Sequence, residues 1–248
     1  MEDRAAQARP RLYGRIAGFL YLMVIVGGTF AEIFVRGRLV VHGDALATAH
    51  NIHAHESLYR LGFVVELSYC VCNVPLILIL YYLFKVVNKN VALMMLILAF
   101  LANTLESVSL LADFTPLIIF GKGHNLSAFT AEQLNALAYL SVQLFEHGFA
   151  CSLVFFGFNC LALAYLIVHS KFLPRIIGVL LAIEGLGYLV NSFSLFLEPA
   201  LQARIFPYFA ATAIAEVALC LWLLVMGVDA QRWRAARLND SFPQGGII

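Results

Sequence analysis

Six long apolar stretches, each interrupted by an acidic residue, constrain this chain more than anything else in it. They run roughly over 12–35, 57–84, 91–120, 141–168, 173–197 and 205–228. As a helix, about 20 residues cross a hydrocarbon core of about 30 Å. An ionised carboxylate is costly in lipid and rarely faces it. The pattern therefore predicts an all-α polytopic membrane protein, a bundle of six transmembrane helices whose acid-bearing faces turn inward. Composition agrees. Of the 248 residues, 62% are hydrophobic and 12% charged, where a soluble domain carries about 25% charged. That leaves too little polar surface to solvate a globule of this size. Residues 1–238 read as a single six-helix transmembrane domain. Residues 239–248, with Pro243, Gly245 and Gly246, read as a flexible tail. A net charge of +1 gives no reason to expect a nucleic-acid partner. The lipid bilayer is the partner the pattern calls for, and the pattern sets no oligomeric state.

Arg4, Arg9, Arg11 and Arg15 precede the first stretch in the manner of a signal peptide. The stretch is too long for such a segment and lacks a small-x-small cleavage site, so it reads as a retained first helix. Six spans put both termini on one side. That side carries these arginines with Lys85, Lys89, Lys171, Arg175, Arg232, Arg234 and Arg237, against Arg36, Arg38, Arg60, Lys122 and Arg204 on the other. The bias predicts that both termini are cytoplasmic. The inner links, 86–90 and 169–171, are short. The outer ones, 36–56 and 121–140, are long enough for short interfacial helices. Asp44 is suited to cap one of these, and Thr130 with Gln133 forms a T-x-x-Q capping box for the other. Phe172-Leu173-Pro174-Arg175 reads as an inner-face helix start. Trp222 and Trp233 read as interface anchors. No internal repeat of the transporter kind is present.

Within the stretches the polar residues form stripes. Residues seven apart lie about 20° from one another on a helix. Glu66 and Asn73 have that spacing, as do Glu106 and Asp113 (with Asn103 one turn earlier), and Glu184 and Asn191 with Tyr188 between them. Gln143, Glu146 and His147 gather within one turn, and Thr212, Glu216 and Cys220 form a line. Gly14, Gly18 and Gly28 lead along one face to Glu32. At a rise of about 1.5 Å per residue, Glu184 and Glu216 each sit roughly 17 Å deep, near the midplane. Glu32, Glu106, Asp113, Glu146 and His147 fall nearer the outer boundary. The stripes predict a polar cavity opening outward.

No Lys or Arg falls at midspan depth to pair with these acids. They must protonate, share protons, bind cations or meet water. The candidate ligand- or proton-binding set is Glu66, Asn73, Asn103, Glu106, Asp113, Glu146, His147, Glu184, Tyr188, Asn191 and Glu216. The structural alternative is that each acid is neutral glue between helices. His50, His53 and His55 before Glu56 match no metal-ligand spacing and read as solvated loop residues. Glu146 and His147, being adjacent, point about 100° apart and cannot share a face. No CxxC occurs among the cysteines, and no disulfide, metal or cofactor is called for.

The segments AEIFVRGRLV (31–40), HESLYRLGF (55–63), HGFACSLVFFGFNCLALAYLI (147–167), SKFLPRIIGVLLAIEGLGYLVNSF (170–193) and AEVALCLWLL (215–224) resemble a bacterial six-span membrane family, domain of unknown function 4386. The resemblance covers nearly the whole chain. It implies six helices and a bacterial plasma membrane, and it supplies no catalytic residues. It also implies an acid at the position of Asn191 and a histidine near Asn159, where this chain departs. Three functions stay open. One is a transporter-like or carrier-like protein binding a small ligand, cation or protons in an acidic cavity. Another is a noncatalytic sensor or assembly protein. The third is a membrane-embedded metal-assisted hydrolase, so enzymatic activity is undecided.

Overall fold

The computed structural model describes residues 2–121, 126–202, 204 and 214–241, with side chains described between Pro10 and Leu238. Lys122, Thr212 and the tail beyond Ser241 lie outside the described residues. Helix α1 covers Glu2–Thr29 and runs through a π-helical segment, Phe30–Arg36, into a last turn, Gly37–Leu39. Then come α2 (Ala45–Ala54), α3 (Glu56–Phe84), α4 (Lys89–Ile119), α5 (Ala131–Ser170), α6 (Arg175–Leu197), α7 (Ile214–Val225) and α8 (Ala230–Ser241). The described residues contain no strand. Among the described residues, five helices are long and apolar enough to cross a membrane, counting Pro10–Leu39 as one. There are six if Ile214–Val225 and Ala230–Leu238, bent by 98° from each other, form one span. The chain is all-helical and multi-pass, as its apolar stretches require.

Local chemistry explains the helix starts. Asp44 is extended at the N-cap of α2 and accepts from Ala47 N at 2.9 Å. At α5, Thr130 N donates to Gln133 Oε1 at 2.9 Å and Gln133 N to Thr130 Oγ1 at 3.2 Å, a reciprocal capping box. The helix it opens is no short outer cap. It continues for 40 residues to Ser170, because nothing in Ala131–Ser141 breaks a helix. The first span likewise overruns its sequence boundary, and Arg36 is carried into it rather than left in a loop.

Burial is inverted relative to a water-soluble fold. Leu111 and Leu144 are 68% and 63% exposed, whereas Glu66 and Glu184 are fully buried. Hydrocarbon is the solvent that makes this arrangement favourable, since the apolar surface meets lipid and the acids meet protein.

The chain divides into two compact units. The first comprises Met1–Leu22, Asn73–Ala102 and Leu153–Ile248. In it α6 packs against α7, and α5 approaches α6 at a pair of glycines. A Cβ on Gly185 would stand 2.7 Å from Gly157 O, and one on Gly157 would stand 2.9 Å from Gly185 O. Small residues of this kind let backbones approach where lipid supplies no hydrophobic drive. Gly227 takes φ +68° at the bend before α8, and Trp233 then buries its ring and donates Nε1–H to Leu83 O at 2.9 Å. Trp233 is thus a buried docking residue rather than an interface anchor. The second unit comprises Met23–Cys72 and Asn103–Ser152. Its apolar core gathers Val35, Leu39, Ile52, Tyr59, Leu117 and Val142.

Gly185→Ala forces its new methyl against a backbone oxygen that no side-chain rotation can move. The substitution is expected to lower stability by about 1–3 kcal/mol, read as a lower unfolding midpoint of the detergent-solubilised chain. An unchanged midpoint would show that α5 and α6 do not meet this closely.

Candidate functional site

In the second unit the acids are organised by one cation. The wider turn of Phe30–Arg36 ends on Arg36, whose side chain is 9% exposed. Its Nη1 donates to Glu66 Oε2 at 2.5 Å and its Nη2 to Glu66 Oε1 at 3.1 Å, the two-pronged geometry that suits guanidinium and carboxylate. Its Nε donates to Glu32 Oε2 at 2.9 Å, one turn back. Asp113 Oδ2 lies 4.0 Å from Nη1. The Phe145 ring covers the guanidinium, 4.4 Å from its centroid, and adds a cation–π contact in a dry setting. All donor directions used here point at oxygen, so the buried charge is compensated.

Two phenols extend this network. Tyr59 Oη donates towards Asp113, with Oδ1 at 2.8 Å and the backbone oxygen at 2.9 Å. Tyr69 Oη faces Glu66 Oε1 at 3.1 Å and also makes a very short contact with Glu106 Oε1. A phenol carries one proton. Set between two carboxylates, it can donate to only one of them at a time. Asn103 Nδ2 donates to Cys70 O at 3.2 Å, one residue before the carbonyl that Pro75 leaves without its helical donor. Glu146 belongs to the same unit. It is partly exposed, with His42 Nδ1 at 3.8 Å. His147 is exposed, and its Nδ1 meets Gln143 O of its own helix at 2.8 Å.

The first unit holds a second, differently built group. Glu184 is fully buried on α6. Its Oε1 accepts from Tyr188 Oη at a long 3.4 Å, and its Oε2 has no hydrogen-bond partner. Glu216 lies on α7, the helix packed against α6, with Tyr21 as its hydrogen-bonding neighbour. Tyr21, Cys160 and Tyr188 all lie within the field of both carboxylates. Among the described residues, no Lys, Arg or His forms an ion pair with either acid. Asn191 is drawn elsewhere, its Oδ1 accepting from Gln202 Nε2 at 3.1 Å. Asn73 is half-buried on the part of α3 that belongs to the first unit, while Glu66 belongs to the second.

The structure thus gathers Glu32, Glu66 and Asp113 around Arg36, with Glu106 joined through Tyr69, and Glu184 with Tyr188 near Glu216. Among the described residues, no three His, Cys, Asp or Glu side chains are arranged to hold a metal ion. The sequence reading missed Arg36, Tyr21, Tyr59, Tyr69 and Phe145. Two signals were available: Arg36 follows Glu32 by four residues, and Tyr59 and Tyr69 stand seven before and three after Glu66.

Compared with known proteins, residues 16–227 match the family described as "Domain of unknown function (DUF4386)". A protein of Archaeoglobus fulgidus described as "Uncharacterized protein" is 24% identical over 157 residues, which cover 63% of this chain and 78% of that one. That relative is archaeal, so the similarity is not confined to bacteria. No solved structure matches.

Removing one partner of the Arg36–Glu66 pair leaves a buried charge alone, which costs about 3–5 kcal/mol. Arg36→Met is therefore expected to lower the unfolding midpoint in detergent strongly. Arg36→Met combined with Glu66→Gln is expected to recover much of that loss. Two losses that simply add in the double mutant would show that the pair is not coupled.

Proposed function

We propose that this chain, which belongs to the DUF4386 family, is a multi-pass membrane protein that binds protons at Glu184 and Glu216 and carries them in a transporter-like manner. One observation carries this reading: Glu184 is fully buried and one of its carboxylate oxygens has no partner among the described residues. A buried polar atom without a partner is rare in a finished structural network. A fully buried carboxylate beside a half-buried one, with no ion-pair partner among the described residues, favours a proton on one of the two. A proton or a small cation has to share the pair. The phenols of Tyr21 and Tyr188 are placed to relay or stabilise that proton. The excess of basic residues around 4–15, 85–89, 171–175 and 232–237 supports cytoplasmic termini in a plasma membrane.

A noncatalytic assembly or sensing role is favoured by the Arg36 network, where the cation is paired and its donors are satisfied. Satisfied networks of that kind rigidify a fold. No ligand constellation among the described residues supports the metal-assisted hydrolase reading.

The test is a pH titration followed by infrared difference spectroscopy, paired with proton uptake into voltage-clamped proteoliposomes. A carboxyl C=O band should titrate in the wild type and disappear in Glu184→Gln. Proton uptake should fall about tenfold or more in Glu184→Gln and in Glu216→Gln, the size expected when one proton-transfer group is removed. A band that persists in Glu184→Gln removes the binding site. Uptake at the wild-type rate in both variants removes carriage and leaves the assembly reading.

A further inference from the structure

One end of the first unit carries a cleft that the proton reading does not use. A cavity of about 1010 Å³ lies where α5 ends, α6 begins and α8 crosses. His169, Lys171, Arg175 and Arg232 line it, and among the described residues no carboxylate does. Tyr165, Leu173, Val86 and Val87 give it an apolar wall. A second cavity of about 900 Å³ shares Lys171, Leu173, Pro174 and Arg232 with it.

Three features make this more than a scatter of surface cations. The first is the backbone at Lys171. Helix α5 stops at Ser170, and Lys171 then takes φ +58°. This is the left-handed position that commonly ends a helix and that glycine normally fills. A lysine there is strained, and strain of this kind concentrates where a side chain is used. The second feature is the start of α6. Its N-cap is Pro174, which supplies no side-chain cap to the first-turn N–H groups. The third is a tie across the cleft. Arg232 Nη1 donates to Lys171 O at 3.0 Å and holds α8 over the α5–α6 turn. Asp229 Oδ2 stands 3.4 Å from Arg232 Nε and offsets part of that charge. Lys171 and Arg175 have no such acid in the lining.

We propose that this cleft binds the phosphate group of an anionic amphiphile, with Lys171, Arg175 and Arg232 on the phosphate oxygens and the Tyr165–Leu173 wall against the glycerol or acyl portion. Guanidinium and ammonium groups with a free helix N–H are the donor set that phosphate selects. The apolar wall separates an amphiphile from a bare ion. Helix α8 is bent by 98° from α7. It carries Arg232, Arg234 and Arg237, and basic side chains at a membrane surface attract anionic lipids. The same phosphate chemistry is offered by a phospholipid headgroup and by a soluble phosphomonoester, and the experiment separates them.

The purified full chain in detergent is titrated with phosphatidylglycerol, phosphatidylcholine and glycerol phosphate, and occupancy is read by native mass spectrometry. The variants are Lys171→Gly and Arg232→Gln. Lys171→Gly restores the residue that the turn prefers, so its unfolding midpoint should equal or exceed that of the wild type. Wild type should prefer phosphatidylglycerol to phosphatidylcholine, and each variant should lose about tenfold in that affinity, the size of one charge-assisted hydrogen bond. If glycerol phosphate leaves the lipid bound, the source is a lipid. If glycerol phosphate binds comparably and loses affinity in the same variants, the source is soluble and the site stands. Wild-type affinity in a folded Lys171→Gly overturns the proposal, as does equal binding of the two lipids with no binding of glycerol phosphate.

Discussion

A carboxylate that enters a membrane has to leave it chemically, either by pairing or by taking a proton, and this condition organises the whole chain. Every apolar stretch carries an acid, so every span has one face that cannot turn to lipid. Glu66 and Glu184 turn fully inward while leucines face outward, whereas Glu32 of the first span stays 59% exposed and meets its condition by pairing with Arg36. Without this condition, apolar rods in hydrocarbon would have little reason to choose one rotation over another, because lipid tails are as apolar as the side chains they would replace.

The two units meet the condition in different ways. In the second, one arginine is drawn off the end of the first span and grips Glu66 with two nitrogens while phenols reach Asp113 and Glu106. In the first, Glu184 and Glu216 have phenols and a thiol around them and no ion-pair partner among the described residues. A paired acid holds helices together. An unpaired one holds a proton or a cation. The functional reading rests on that difference in kind, and the basic cleft near Lys171 belongs to neither arrangement.

Much of the fold was legible. Span positions, the cap at Asp44 and the capping box at Thr130 follow from hydropathy and from which side chains satisfy free N–H groups. Errors came where a boundary was set by local polarity. Arg36 ended the first apolar stretch in the sequence, yet the π-helical turn carries it inside, because Glu66 and Phe145 await it there. The capping box was read as opening a short outer helix, yet nothing stops α5 for 40 residues. The seven-residue stripes were a partial guide. Glu106 and Asp113 do serve one network, through Tyr69 and Tyr59. Asn191 instead turns to Gln202, and Asn73 belongs to a different unit from Glu66.

By itself the sequence determined the class of the protein and the helix faces that must turn from lipid, because transfer of charge into hydrocarbon is a one-body cost that each stretch bears alone. The partners of each acid are a many-body matter. Whether an acid meets an arginine, a phenol or another acid depends on side chains from distant segments converging at hydrogen-bond range, such as Arg36 on Glu66 and α7 on α6. Only the tertiary structure decided that, since no periodicity within one helix encodes what its neighbour presents.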